Sequence, residues 1–269
     1  MPSNKRYRIL STKAVDQALV TMAAEQNIDI VAKAFISIQP LITDSLKQRI
    51  HQLFQEKVTV IFTSANAVEA LRDHYLHPEE YYYYGTWIAF PPNVTDEEVD
   101  AYKRGGFFSP GWNVYCLEGA TQQALKQRGN GFRHTITGTA ANAASLAETI
   151  IKNGEKGPLV FFCGDKRRDE LPDLLGQHNI ILEELIVYET TETPALTGQE
   201  YDGILFLSPS AVHSFFSVNS LPPHTVCFSI GPTTARALQE HTNNKIITSP
   251  SPGMDQLVQT TIFYFNNIN

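Results

Sequence analysis

The stretch VIFTSANAVEAL (residues 60–71) has a counterpart in ILFLSPSAVHSF (residues 204–215), with Ser64 aligned to Ser208. Each begins as an apolar, β-rich run and continues, after a turn of small hydroxyl residues, as an amphipathic helix. Pairs of this kind recur along almost the whole chain. Such alternation is typical of parallel sheets that are covered by helices on both faces. The sequence therefore predicts an α/β protein with an internal repeat.

Two further segments repeat in the same order. CLEGATQQAL (116–125) aligns with SIGPTTARAL (229–238), and the glycine of each falls at the predicted strand-to-helix turn. TGTAANAASLAETI (137–150) aligns with TSPSPGMDQLVQTT (248–261), with a leucine nine residues after the first threonine in both. The two halves of the chain therefore share three consecutive strand–helix units.

The fourth unit of the repeat is permuted. LVFFCGDKRRDEL (159–171) closes the first half, but its counterpart, RILSTKAVDQAL (8–19), stands at the start of the chain. Each of these segments is predicted to continue through a helix to a long strand, over 28–38 and 180–190 respectively. The N-terminal unit must therefore complete a sheet whose other strands come from the end of the sequence.

This permutation predicts two doubly wound parallel-sheet α/β domains, one of them discontinuous. Residues 1–37 and 191–269 are expected to form the discontinuous domain, and residues 38–190 a domain inserted into it. The chain then crosses between the domains along 34–40 and 186–193. Two extended crossings side by side make a two-stranded hinge, and the cleft between the domains is the expected binding region.

The composition restricts the possible functions. Hydrophobic residues make up 42% of the 269 residues and charged residues 18%, as in globular proteins. The net charge of −7 argues against sequence-independent binding to nucleic acid or to an anionic membrane, and no apolar stretch approaches the length of a membrane span. We expect a cytoplasmic monomer. Three cysteines lie in apolar runs and are interpreted as buried strand thiols: Cys116, Cys163 and Cys227.

Glycine and small hydroxyl or amide residues stand at the predicted strand-to-helix turns. The candidate binding residues there are Ser64, Asn66, Thr121, Ser208, Ser210, Gly231, Thr233 and Thr234. In open α/β sheets these turns meet at the carboxyl ends of the strands, where ligands bind. The unpaired backbone N–H groups of a helix start favour an anion. Simple helix capping is the alternative for each turn.

Two cations and one phenol complete the candidate set. Lys13 and Arg168 lie next to such turns, although Arg168 belongs to DKRRDE (165–170), for which a solvated helix start is the alternative. Tyr188 lies where the chain enters the hinge, so its phenol is either a proton donor or packed between the crossing strands. The chain has no GxSxG, HExxH or CxxC motif and no candidate metal site. An enzyme of this kind would act mainly by holding its substrate in one conformation.

Taken together, these segments resemble the uroporphyrinogen-III synthase family. The resemblance rests on VIFTSANAVEAL, CGDKRRDELPDLL, IVYETTETP, ILFLSPSAVHSFF and SIGPTTARAL, and covers nearly the whole chain except about 81–111. It implies two α/β domains with substrate between them and closure of linear hydroxymethylbilane to uroporphyrinogen III, with loss of water and inversion of ring D. It also implies that no metal or organic cofactor is needed. The substrate carries eight carboxylates, which are anions suited to the turns.

The resemblance assigns roles to particular residues. Tyr188 matches the tyrosine that assists departure of the substrate hydroxyl group. Five further residues match or resemble substrate-binding positions: Ser64, Thr121, Ser208, Thr233 and Thr234. Lys13 replaces the usual arginine, and Glu118 is an unusual carboxylate at its turn. Two alternatives remain open: a non-catalytic hinged module that binds a polycarboxylate, and a degenerate member whose insertion at about 81–111 changes the cleft.

Overall fold

The computed structural model describes residues 5–54, 56–74, 111–127 and 134–268. The predicted insertion at about 81–111 lies outside these residues except for Gly111. The chain divides into two compact units. One consists of Met1–Ser37 with Thr190–Asn269, and the other of Ile38–Glu189.

Strands and helices alternate along most of the described chain. The strands are β1 (Tyr7–Ser11), β2 (Ile28–Ala32), β3 (Ile36–Pro40), β4 (Thr59–Phe62), β5 (Trp112–Leu117), β6 (His134–Ala140), β7 (Leu159–Gly164), β8 (Leu182–Glu192), β9 (Gly203–Phe206), β10 (Val226–Ser229) and β11 (Ile246–Thr248). The described helices are α1 (Gln17–Ala24), α2 (Asp44–Phe54), α3 (Ala65–His74), α4 (Ala120–Lys126), α5 (Ala143–Lys152), α6 (Glu170–Gln177), α7 (Pro209–Phe216), α8 (Pro232–His241) and α9 (Met254–Asn266).

The two sheets share one strand order once the permutation is applied. The five-stranded sheet runs β11-β10-β9-β1-β2, and the six-stranded sheet runs β6-β5-β4-β7-β8-β3. The sequence repeat matches β4 with β9, β5 with β10, β6 with β11 and β7 with β1. The strand pairs of the five-stranded sheet are parallel, and so are those that join β6, β5, β4, β7 and β8 in the six-stranded sheet. The predicted fold class, α/β with two parallel sheets, is therefore confirmed.

The apolar runs of the central strands explain why helices cover both faces of a sheet. Every residue of β7 is buried, as expected for a parallel strand with a layer on each side. Phe162 stacks on Phe62 and Trp112 on one face, with ring centroids 5.2 and 5.5 Å apart. Phe161 belongs to a second apolar cluster with Leu146 of α5, so successive residues of the strand serve opposite layers.

The prediction of one long strand over 28–38 is wrong. β2 ends at Ala32, β3 begins at Ile36, and the two strands belong to different sheets. Phe35 explains the break, because its ring is fully buried against Phe215, with centroids 5.2 Å apart. Its carbonyl also accepts a hydrogen bond from the Thr193 amide. Burial of this ring turns the chain away from the line of β2.

The corresponding strand β8 is continuous over Leu182–Glu192. The boundaries between the two compact units fall within β3 and β8, which are neighbours in the six-stranded sheet. The two-stranded hinge itself remains a prediction. No described helix combines the length and apolar character that crossing a membrane requires.

The interpretation of the cysteines as buried strand thiols is confirmed. Cys116, Cys163 and Cys227 are free and buried in β5, β7 and β10. Burial raises the pKa of Cys116 to about 11, and of Cys163 and Cys227 to about 12. These thiols therefore stay protonated and unreactive near neutral pH.

Candidate active site

The six-stranded sheet gathers five predicted site residues at one edge. Ser64 and Asn66 follow β4, Thr121 follows β5, Arg168 follows β7, and Tyr188 lies in β8. These four strands are consecutive neighbours and run parallel, so their carboxyl ends lie along a single edge. The topology thus brings together residues separated by more than a hundred positions in the sequence.

The five-stranded sheet gathers the remaining predicted residues at its own carboxyl edge. Lys13 follows β1, Ser208 and Ser210 follow β9, and the turn that begins at Gly231 follows β10. The strands β10, β9 and β1 are neighbours and parallel. Lys13 is exposed, and Ser210 is half-buried.

The Ser208 turn is a capped helix start. The Ser208 hydroxyl oxygen accepts a hydrogen bond of 3.1 Å from the Ala211 amide, and Pro209 occupies the first helical position. Ser64 plays a similar part before α3, since its Oγ accepts a 3.2 Å bond from the Asn66 amide. The capping expected of these residue types is therefore present in both units.

The Gly231 turn differs because no side chain caps α8. The backbone of Gly231 is extended, with φ of −176°, and Pro232 has no N–H to satisfy. Thr233 and Thr234 therefore present their amides at a helix start that lacks a capping group, which suits an anion. The Thr234 side chain is buried, whereas Thr233 is half-buried and nearer to solvent.

The α4 turn also lacks a side-chain cap. Gly119 has φ of +74°, a left-handed conformation that favours glycine. Thr121, two residues later, is only 5% exposed, so its side chain lies mainly inside the unit. Glu118 is exposed, and its carboxylate accepts a 3.4 Å hydrogen bond from Thr139.

Tyr188 has polar neighbours at the carboxyl edge of the six-stranded sheet. Its hydroxyl donates a hydrogen bond of 3.0 Å to Ser64 Oγ, and the Asn66 side chain is a second polar neighbour that acts on the pKa of the phenol. Burial raises the pKa of Tyr188 above the usual value, although the bonds to Ser64 and Asn66 oppose that shift. The group is therefore a neutral phenol near pH 7, with two polar neighbours that favour the phenolate.

A β-bulge in β8 determines on which face of the sheet the Tyr188 side chain lies. Cys163 pairs with Ile186, but the next residue of β7, Gly164, pairs with Tyr188 and skips Val187. Strict alternation would place Tyr188 and Val187 on opposite faces, yet both contact the same apolar cluster. The irregularity thus turns Tyr188 toward the face that carries Ser64, as bulges near functional sites do.

Sequence reasoning missed Gly164. A Cβ at this position would lie 2.4 Å from Cζ of Tyr188 and 2.8 Å from its hydroxyl oxygen. The available signal was a glycine that closes a fully apolar strand, in FFCGD (161–165). A glycine there indicates that another group approaches the backbone closely.

The basic run 165–170 is mainly a turn. The helix α6 begins only at Glu170, so the first residues of the predicted helix lie before it. Arg167 forms ion pairs with Asp169 and with Glu184 of β8, and Arg168 is exposed. Within the described ranges, no group of three His, Cys, Asp or Glu side chains is placed to hold a metal ion. Independence from metals remains a prediction.

Two solved structures share this fold over nearly their whole length. The uroporphyrinogen-III synthetase of Helicobacter pylori is 16% identical, with a TM-score of 0.59 over 97% of this chain and 100% of that chain. A mutant uroporphyrinogen III synthase of the extremely thermophilic bacterium Thermus thermophilus is 14% identical, with a TM-score of 0.58 over 97% and 98% of the two chains. At these identities the likeness establishes the fold.

The family assignment comes from the sequence. A family model described as uroporphyrinogen-III synthase HemD matches residues 17–259. That span contains every candidate site residue except Lys13. It also contains all the segments that carried the resemblance, in one continuous match over most of the chain. The chain belongs to the uroporphyrinogen-III synthase family.

Proposed function

We propose that this chain is a uroporphyrinogen-III synthase in which Tyr188 supplies the proton for departure of the substrate hydroxyl group. The reaction closes hydroxymethylbilane to uroporphyrinogen III, with inversion of ring D and loss of one water. Membership of the family supports the reaction. The observation that supports the role of Tyr188 is its hydrogen bond to Ser64 at the carboxyl edge of the sheet.

The proton transfer follows from the contacts of the phenol. Tyr188 gives its proton to the hydroxyl oxygen as the carbon–oxygen bond breaks, and the two leave as water. The phenolate that remains can accept hydrogen bonds from the Ser64 hydroxyl, which already contacts its oxygen, and from the Asn66 side chain, which also favours the ionised form. After closure, a pyrrole ring of the substrate regains its aromaticity by losing a proton. This proton restores the phenol of Tyr188. Tyr188 thus donates one proton and regains one in each turnover, while Ser64 and Asn66 stabilise its phenolate.

Selecting the isomer is the harder task. The linear substrate loses water by itself, and unassisted closure gives the symmetric isomer I. The enzyme must therefore hold the end rings so that attack occurs at the substituted carbon of ring D. In this proposal, the uncapped start of α8 at Gly231, Thr233 and Thr234 binds a carboxylate arm through backbone N–H groups.

The other polar residues complete the binding surface in this proposal. Their neutral hydroxyls and amides suit carboxylates that must be held without being trapped by strong charges. Lys13 and Arg168, both exposed, add positive charge to a chain whose net charge is −7. Six residues are assigned to substrate through side chain or backbone: Ser64, Asn66, Thr121, Ser208, Ser210 and Lys13. A cytoplasmic location, a monomeric state and independence from cofactors are further parts of the proposal.

The test is the isomer composition of the product. Freshly generated hydroxymethylbilane is supplied to the purified protein without added metal or cofactor, and the oxidised porphyrins are separated. A protein-free reaction gives the spontaneous background. Predominance of isomer III above that background is the expected result. Isomer I at the background rate would overturn the proposal and favour the binding module.

A further inference from the structure

The phenol of Tyr188 reaches its partner across an intervening strand. Tyr188 lies in β8 and Ser64 follows β4, and β7 separates these two strands in the sheet. Parallel strands lie roughly 4.8 Å apart, so the ring must pass over the end of β7 to make its 3.0 Å hydrogen bond. Whatever stands at the end of β7 therefore controls the path of the phenol.

The residue at that point is Gly164. It is the last residue of β7 and the register partner of Tyr188. Val160 and Phe162 of β7 belong to the apolar cluster that Tyr188 contacts, so by strand alternation Gly164 lies on the same face. An added Cβ would meet two ring carbons of Tyr188, Cζ and Cε2, at 2.4 and 2.5 Å, and its hydroxyl oxygen at 2.8 Å.

We propose that Gly164 is a positioning residue for Tyr188, and that its missing side chain lets the phenol reach Ser64. The inference rests on the proposed function, which gives Tyr188 the proton transfer. Ordinary contact begins near 3.4 Å, so alanine would force a displacement of about 1 Å between the ring and β7. The ring also packs against the apolar cluster on this face, which limits the directions in which it can move. A shift of that size breaks the bond to Ser64 and misplaces the proton.

The first experiment compares Gly164→Ala, Tyr188→Phe and the double variant. If Gly164 acts through the phenol hydroxyl, Gly164→Ala lowers kcat for isomer III formation by about 100-fold, as does Tyr188→Phe. KM changes little, and the double variant loses nothing more than Tyr188→Phe alone. Independent losses that multiply in the double variant would overturn the inference, and so would wild-type kcat in Gly164→Ala.

Gly138→Ala is the matched structural control. Its Cβ would lie 2.8 Å from the ring of Tyr115, a buried tyrosine of the same unit that has no part in the proposed chemistry. We expect a lower melting temperature for this variant with the kcat of the folded protein retained. If Gly138→Ala lowered kcat as much as Gly164→Ala does, looser packing of the unit would explain both losses. That result would overturn the positioning role of Gly164.

A second measurement does not depend on activity. The ultraviolet titration of Tyr188 is isolated as the difference between wild type and Tyr188→Phe, and again between Gly164→Ala and the double variant. The two difference titrations should have distinct midpoints, because alanine removes the phenol from its partners; identical midpoints would overturn the inference. Distinct midpoints in a protein without isomer III activity would support the placement of the phenol while refuting the proposed function.

If Gly164→Ala does not fold, Tyr188→Ala provides the background, since it removes the ring that the new Cβ would strike. The Gly164→Ala change should then cost little in melting temperature. Equal destabilisation with and without the ring would overturn the contact on which the proposal depends.

Discussion

The hydroxyl groups of Tyr188 and Ser64 are joined by a 3.0 Å hydrogen bond, although 124 residues separate them along the chain. The contact requires the strand order β8-β7-β4, the bulge at Val187 and the open backbone of Gly164. Each of these features comes from a different part of the sequence. The position of a single phenol is thus the combined outcome of topology, register and the absence of one methyl group.

Replacing Tyr188 with phenylalanine removes the proton donor and retains the ring. We expect kcat for isomer III to fall about 100-fold, near the low end for general acid catalysis because the substrate loses water readily by itself. KM should change little. Initial rates are measured after subtraction of the spontaneous isomer I. A variant with the turnover of wild type would assign the proton to another group.

The pH dependence should carry the signature of the same phenol. Burial raises the pKa of Tyr188 above its ordinary value of 10.0, so the proton-donating form persists through neutral and mildly alkaline pH. The kcat should therefore show no loss due to this group until pH exceeds about 10, and that alkaline limb should be missing in Tyr188→Phe.

Ser64→Ala provides an internal check on that assignment. The Ser64 bond lowers the pKa of Tyr188, so its removal should move the alkaline limb to still higher pH. A limb that stays in place in Ser64→Ala, or that survives in Tyr188→Phe, would show that another group titrates.

Ser208 allows capping and substrate binding to be separated. Ser208→Ala should lower the free energy of unfolding by about 1 kcal/mol, since it removes the acceptor for the Ala211 amide. Ser208→Asp keeps a capping oxygen and should retain stability, but its negative charge should raise KM for a polycarboxylate. Denaturant titration and steady-state kinetics measure the two effects. If aspartate leaves KM unchanged, the residue caps α7 without contributing to binding. We also expect Ser208→Ala to reduce turnover less than Tyr188→Phe does.

Arg49 and Glu183 should make stability depend on acid pH. The Arg49 guanidinium donates two bonds of 2.7 Å to the Glu183 carboxylate and thereby lowers the pKa of that group. The stabilisation is fully present above the ordinary pKa of 4.5 and is lost as pH falls through the lowered value. Because both side chains are one-third exposed, we expect only about 1 kcal/mol at neutral pH.

Denaturant titrations of wild type and Glu183→Gln at several pH values test this. The difference should be largest near neutrality and shrink below the lowered pKa. Arg49→Gln and the double variant complete a mutant cycle that isolates the pair. A difference that does not vary with pH would assign the effect to packing.

The sequence predicted features that depend on periodicity and local turn chemistry. The repeat between 60–71 and 204–215, with its permuted fourth unit, anticipated the shared strand order, because apolar strands and amphipathic helices have distinct periods. The capping by Ser208 was also predictable from the local sequence, because its hydroxyl bonds an amide only three residues further along the chain.

Features set by contacts between distant segments could not be predicted in this way. The break before Phe35 depends on a ring of α7, and the bulge at Val187 depends on how β8 is registered against β7. Gly164 acquires its importance only when Tyr188 is placed above it. Each requires knowledge of a neighbour that the local sequence does not identify.

The permuted strand order also has a consequence for synthesis on the ribosome. Strand β1 lies between β2 and β9 in its sheet, with Ile9 paired to Gly203 on one side and to Ile30 on the other. The strands β4, β5, β6 and β7, by contrast, find their partners within the inserted unit. A nascent chain can therefore form most of the six-stranded sheet while β1 is still unpaired on its β9 side. That side of β1 can pair only after about 190 further residues have been synthesised. Of the described strands, β1 is synthesised before the others and is among the last to be fully bonded.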